Sequence, residues 1–324
     1  MLLLLFSLVI GIIIVVGLFY LLRQLYNPPS IDFHDRHVIV TEGSNGIGKS
    51  LVKSLLIRGA NVTILARNEQ HLCQCESELK SISDNRLLSL SVDVSLSYEN
   101  VEQSICRACE KQGPVTVLIN NAGIYDAKSF DVTKPVEFEK MIRINYLSAI
   151  YCTKACRKYM YKMGYGQIVL VSSQARQLDG YTSYCSTKFA LRGLAEALQM
   201  ELARSNIYVT TIYPPHLDTP EFTEENKSKP VETQLISQTS SIVSTDLVAE
   251  NIIKQTLKGS FACWFSINGF LLTYLTSGTS SMTTLLESIY QVTFVGLARL
   301  IAITLFRAFY SIVRNNRRQS SSTH

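Results

Sequence analysis

The sequence predicts an α/β fold: a Rossmann-type, doubly wound parallel sheet in a single domain over residues 33–270. Three observations lead there. Runs rich in Val, Ile, Leu and Thr ("HVIVTE", "NVTILA", "LLSLSV", "VTVLIN", "QIVLVS", "IYVTTIY") alternate with helical periodicity such as Leu191, Leu194, Ala195, Leu198 and Leu202. Repeated strand-helix alternation places a parallel sheet under helices on both faces. The first run leads into a glycine turn and a helical stretch, "GSNGIGKSLVKSLLIRG". Residues capable of chemistry then follow the later runs, at the carboxyl ends of strands where ligands of such sheets bind.

Before the first strand, "MLLLLFSLVIGIIIVVGLFYLL" carries no charge over 22 residues, which as a helix spans roughly 30 Å of hydrocarbon. Residues 1–25 therefore read as an N-terminal membrane anchor, a transmembrane helix. A cleaved signal peptide fits less well, because no basic residue precedes the run and no small-x-small site follows. Arg23 and Arg36 follow the span, so the bulk of the chain is expected in the cytosol.

The first strand ends at Thr41, followed by Glu42, Gly43, Ser44, Asn45, Gly46, Ile47 and Gly48. Small residues there let backbone amides and a helix amino end approach a pyrophosphate. Glu42 stands where a further glycine is expected, and brings bulk and a negative charge. Arg67, after the second strand and 19 residues beyond Gly48, suits the 2′-phosphate of NADP, where an acid would bind a ribose hydroxyl. Asp93 and Val94 follow the third strand, and Asp93 either bonds an adenine amine or caps a turn. Asn121, Ala122 and Gly123 close the fourth.

The chemistry is concentrated in "YCSTK", where Tyr184 and Lys188 share one helix face. An ammonium beside a phenol favours the phenolate, which makes the tyrosine a usable proton donor to a carbonyl oxygen near working pH. Ser172 and Ser173 end the fifth strand with hydroxyls able to orient that carbonyl, and Asn145 lies on an intervening helix.

The net charge of +5 divides into +6 from residue 251 onward and −1 before it. Interleaved with "IYQVTFVGLARLIAITLFRAFYSIV", the basic residues make 271–314 a membrane-associated helical region on an anionic lipid surface, not a nucleic-acid groove. A buried core helix is the alternative. Residues 315–324 read as a disordered tail. The close pairs Cys73 and Cys75, Cys106 and Cys109, and Cys152 and Cys156 lie in helical stretches with no histidine to complete a ligand set, so no metal is expected and a reduced compartment suits all eight cysteines as thiols.

In this order, Thr41 with its glycine turn, "NNAG", Asn145, Ser173 and Tyr184-x-x-x-Lys188 resemble the short-chain dehydrogenase/reductase family over about residues 36–220. "RGLAEALQMEL", "YPPHLDTPEFTEENKSKPVET", the anchor and the basic tail extend the similarity, towards family members that reduce long-chain keto-sphingoid bases. The resemblance implies that Tyr184 protonates the ketone oxygen, Ser173 holds it, Lys188 binds the nicotinamide ribose and tunes Tyr184, and Asn145 anchors a proton-relay water. In "PPHLDT", with Pro215 in place of a glycine, Thr219 would touch the nicotinamide carboxamide. NADPH is the implied coenzyme. The implied setting is the endoplasmic reticulum membrane, with the catalytic domain facing the cytosol, a long-chain keto-sphingoid base drawn from membrane lipids, and homo-oligomerisation left open. Reduction of another lipid carbonyl (steroid or retinoid), or a non-catalytic scaffold or lipid-binding module, are the alternatives. The chain departs from the family pattern at Glu42, at Arg176 where glycine is usual, and in a Ser173 to Tyr184 spacing shorter by two.

Overall fold

The computed structural model describes Gly11 and residues 32–174, 180–202, 205–217, 229–237, 242–266 and 269–270. Apart from Gly11, the expected anchor lies outside the described residues, as do the segment 271–324, Arg176 and Thr219. Among the described residues no helix is long and apolar enough to cross a membrane.

Strands β1 (His37–Thr41), β2 (Asn61–Ala66), β3 (Leu87–Ser91), β4 (Val115–Asn120), β5 (Gly166–Val171) and β6 (Ile207–Tyr213) coincide with the six apolar runs to within a residue at each end. The sequence reading lacks three short strands: β7 (His216–Leu217), β8 (Ile242–Val243) and β9 (Ala262–Trp264). Among the described residues a parallel seven-stranded sheet runs β3-β2-β1-β4-β5-β6-β9, and β7 pairs with β8 apart from it. The chain reverses its direction of travel across the sheet between β3 and β4, so a crevice opens at the carboxyl ends of the adjacent strands β1 and β4.

Helices α1 (Gly46–Ile57), α2 (Glu69–Ser83), α3 (Tyr98–Gln112), α4 (Pro135–Ile142), α5 (Ser148–Met163), α6 (Thr182–Glu201), α7 (Val231–Ser237) and α8 (Thr245–Leu257) follow the strands. Alternation along each strand sorts them into two layers. Val38 and Val40 of β1 meet α1, α2 and α8, whereas Ile39 meets α3, α5 and α6. The periodic residues Leu191, Ala195, Leu198 and Leu202 are all buried in that second layer. Full burial of one such aliphatic side chain stabilises the fold by about 1.5–3 kcal/mol. Side chains also define helix starts: Asn45 caps α1, Asn68 caps α2 and Ser97 caps α3, each accepting from a backbone N–H of the first turn.

Candidate active site

At the carboxyl edge of β1 and β4, Thr41 joins two turns. Its Oγ1 accepts from the backbone N–H of Asn121 at 2.9 Å and of Ala122 at 2.8 Å. The Asn121 amide returns bonds to the carbonyls of Thr41 and Glu42 at 3.1 and 3.2 Å. Gly48 is required for close packing: a Cβ there would lie 2.1 Å from the Glu42 carbonyl oxygen. Gly46 takes φ +51°, which glycine adopts without steric cost. Ile47 and Val94 turn their side chains into the core, so only their backbones remain for a ligand. No acid occupies the first turn of α1, and its amino end is therefore electrostatically suited to a phosphate.

Glu42 itself takes φ +50°, a left-handed conformation that costs an L-residue about 1–2 kcal/mol. Its carboxylate Oε1 lies 3.4 Å from Arg67 Nε, and Arg67 Nη1 lies 3.9 Å from Asp93 Oδ2. Burial pushes the Glu42 carboxyl above the ordinary range, and the Arg67 cation pulls it back. The other oxygen of Asp93 accepts from the backbone N–H and hydroxyl of Ser95 at 2.8 and 2.6 Å, which is the turn-capping arrangement.

A second cluster forms where the turn after β4, the helix before α5 and α6 meet. A Cβ on Gly123 would lie 3.3 Å from Lys188 Nζ and 3.5 Å from Asn145 Oδ1. Lys188 is buried and donates from Nζ to the Val171 carbonyl at the end of β5, 2.9 Å away. Burial lowers its pKa to about 8. Its Nζ lies 5.5 Å from the centroid of the half-buried Tyr184 ring. Ser172 donates to the Lys188 carbonyl at 2.9 Å, and the buried Ser173 follows it at the same strand end.

Asn145 sits in a π-helical turn, Arg143–Leu147, between α4 and α5. Widened turns of this kind often occur at functional sites. The side chain accepts from Ile124 N–H at 2.7 Å and donates to the Ile124 carbonyl at 2.8 Å and to Thr187 Oγ1 at 3.1 Å. It thus fixes the segment after Gly123 against α6 at Thr187, the residue before Lys188. Asn145→Ala is expected to lower unfolding stability by about 2–3 kcal/mol, since buried partners lose their bonds, and a denaturant midpoint measures this.

The structure brings together Gly43, Ser44, Asn45, Gly46, Ile47, Gly48, Arg67, Asp93 and Asn121 around the first cluster, and Gly123, Asn145, Ser173, Tyr184 and Lys188 around the second. Tyr125 and Tyr181, which the sequence reading lacks, flank Tyr184 with ring centroids 6.3 and 5.8 Å away. Tyr125 lies two positions after Gly123, and that short spacing was the available signal. The chemistry of this donor set fits a nicotinamide dinucleotide. One end offers a helix amino terminus and a guanidinium for phosphates, and the other a cation, a phenol and hydroxyls for a ribose and a carbonyl.

The short chain dehydrogenase profile matches residues 36–230. The 3-dehydrosphinganine reductase of Danio rerio is 43% identical, covering 94% of this chain and 93% of its own. The 3-ketodihydrosphingosine reductase of Bos taurus is 44% identical, with 92% and 91% covered. That of Dictyostelium discoideum is 32% identical, with 83% and 85% covered. With the profile spanning more than half of its length, and with the glycine turn, Asn145, Ser173, Tyr184 and Lys188 set around one crevice, the chain belongs to the short-chain dehydrogenase family of oxidoreductases.

Proposed function

We propose that the chain is a membrane-attached reductase that uses NADPH to convert 3-ketodihydrosphingosine to dihydrosphingosine. The observation that carries the reading is the meeting of Lys188, Asn145 and Gly123 beside Tyr184. The names of the relatives supply the substrate.

The glycine turn would hold the pyrophosphate, Arg67 the 2′-phosphate, Asp93 and the Val94 backbone the adenine side, residues 121–123 and Lys188 the nicotinamide ribose, and Thr219 the carboxamide. When bound, the reduced nicotinamide supplies a hydride to the carbonyl carbon. Ser173 donates a hydrogen bond to the carbonyl oxygen and orients it. Tyr184 gives its phenolic proton to that oxygen as negative charge develops there. The Lys188 ammonium stabilises the phenolate left behind, and Asn145 holds the surrounding backbone in place.

A ketone on a long acyl chain partitions into lipid, so we place the catalytic domain at the cytosolic face of the endoplasmic reticulum membrane, held by residues 1–25 and by the basic apolar segment 271–314. Deleting residues 1–25 is expected to leave a membrane-bound fraction at low salt, and full solubility in a sedimentation assay would remove the second attachment. The activity is tested by following coenzyme oxidation by the purified chain with keto-sphingoid, steroid and retinoid carbonyls. Turnover confined to the keto-sphingoid base is expected, and preference for either other class would overturn the substrate.

A further inference from the structure

Arg67 is the cation available for a coenzyme 2′-phosphate, and it is already engaged. Glu42 meets its Nε at 3.4 Å and Asp93 approaches its Nη1 at 3.9 Å. Two carboxylates around one guanidinium leave this corner with a net negative charge when all three are ionised. A phosphate arriving there has to displace or share those partners, against like-charge repulsion. A ribose 2′-hydroxyl meets no such obstacle. It donates a hydrogen bond, and a carboxylate accepts one.

Side-chain exposures of 46% for Arg67 and 33% for Glu42 make this a solvent-screened pair, which contributes little to stability. The fold does not depend on it. Glu42 nevertheless holds a left-handed backbone that a glycine would adopt freely. The cost is borne at the turn residue whose carboxylate approaches Arg67 Nε.

From this geometry we infer that Glu42 is a coenzyme-specificity residue: by occupying Arg67 and presenting an acceptor to the adenosine ribose, it weakens NADPH relative to NADH. The inference rests on the reductase reading above. It changes what that reading expects of the coenzyme, because Arg67 alone would give a strong preference for NADPH.

Equilibrium titration of the full-length protein with NADPH and with NADH, followed by nicotinamide fluorescence, tests it. Glu42→Gln keeps the side-chain bulk and removes the charge. It is expected to raise the NADPH-to-NADH affinity ratio by about tenfold, equivalent to about 1.4 kcal/mol. Glu42→Gly, which suits the backbone, is expected to shift the ratio the same way, with circular dichroism checking that both variants fold. Arg67→Ala is expected to weaken NADPH and leave NADH nearly unchanged. An unaltered ratio in both Glu42 variants overturns the inference while leaving the reductase reading in place, as does an equal gain for both coenzymes. Binding of neither coenzyme by any of the proteins overturns the inference and the reductase reading together.

Discussion

Tyr184→Phe is expected to lower carbonyl reduction by about 10²–10⁴-fold, the range attributed to a positioned general acid. The substitution is confined to one oxygen. The Tyr184 ring packs edge-on or tilted against Tyr125 and Tyr181, at 6.3 and 5.8 Å, and phenylalanine keeps those contacts. Coenzyme affinity and unfolding midpoint should therefore stay close to those of the wild type. Single-turnover measurement of coenzyme oxidation separates the chemical step from binding. Retention of more than about a tenth of the rate would assign the proton to another donor.

Lys188→Met is expected to act more broadly, on turnover, on coenzyme affinity and on the pH dependence of stability. The Lys188 ammonium is buried against the Val171 carbonyl, and burial lowers its pKa from 10.5 to about 8. Between those values the unfolded chain holds a proton that the folded chain has lost. Stability contributed at this position therefore rises as pH increases from about 8 to about 10.5. Methionine has nothing to titrate. Relative to the variant, the wild type should gain up to roughly 3 kcal/mol across that window. Urea unfolding of both proteins at several pH values measures the difference, and parallel curves would show that Lys188 is not a buried cation in solution.

Much of this was legible in the sequence because the central strands are covered on both faces. Burial on both sides demands apolar runs, and these stand out: every residue of β1, β4 and β5 is buried. β9 escaped because three residues at the edge of the sheet, "ACW", carry no period, and their position depends on packing beneath α8 and beside β6. The π-helical turn has no local signature either. Asn145 bonds both backbone groups of Ile124, 21 residues earlier in the chain, and that long-range contact accompanies the widened turn.

The site shows the same division. Tyr184 and Lys188 are four apart on one helix, and helical geometry alone aligns them. Glu42 and Arg67 were each visible, one as a repulsive charge and the other as a phosphate ligand, but their contact was not. They meet because β1 and β2 are neighbours with Thr41 opposite Leu65, and Glu42 N–H continues the ladder to the Leu65 carbonyl at 2.7 Å. Strand order and register decide such a pairing, and neither can be read from the two residues separately.

The direction of β9 determines where the remaining chain starts. Running parallel to β6, it delivers Phe265 and Ser266 to the same end of the sheet as Thr41, Asn120 and Val171. Residues 32–36 lie at the opposite edge, where Asp35 N–H bonds the Gly59 carbonyl ahead of β2. Strands of five to seven residues separate the two edges by about 17–23 Å. On the proposed membrane attachment, the chain therefore has two tethers of unequal value. The rear one limits only how far the domain drifts from the bilayer. The forward one leaves the sheet at the strand ends where the crevice opens, and it limits how far those strand ends drift from lipid.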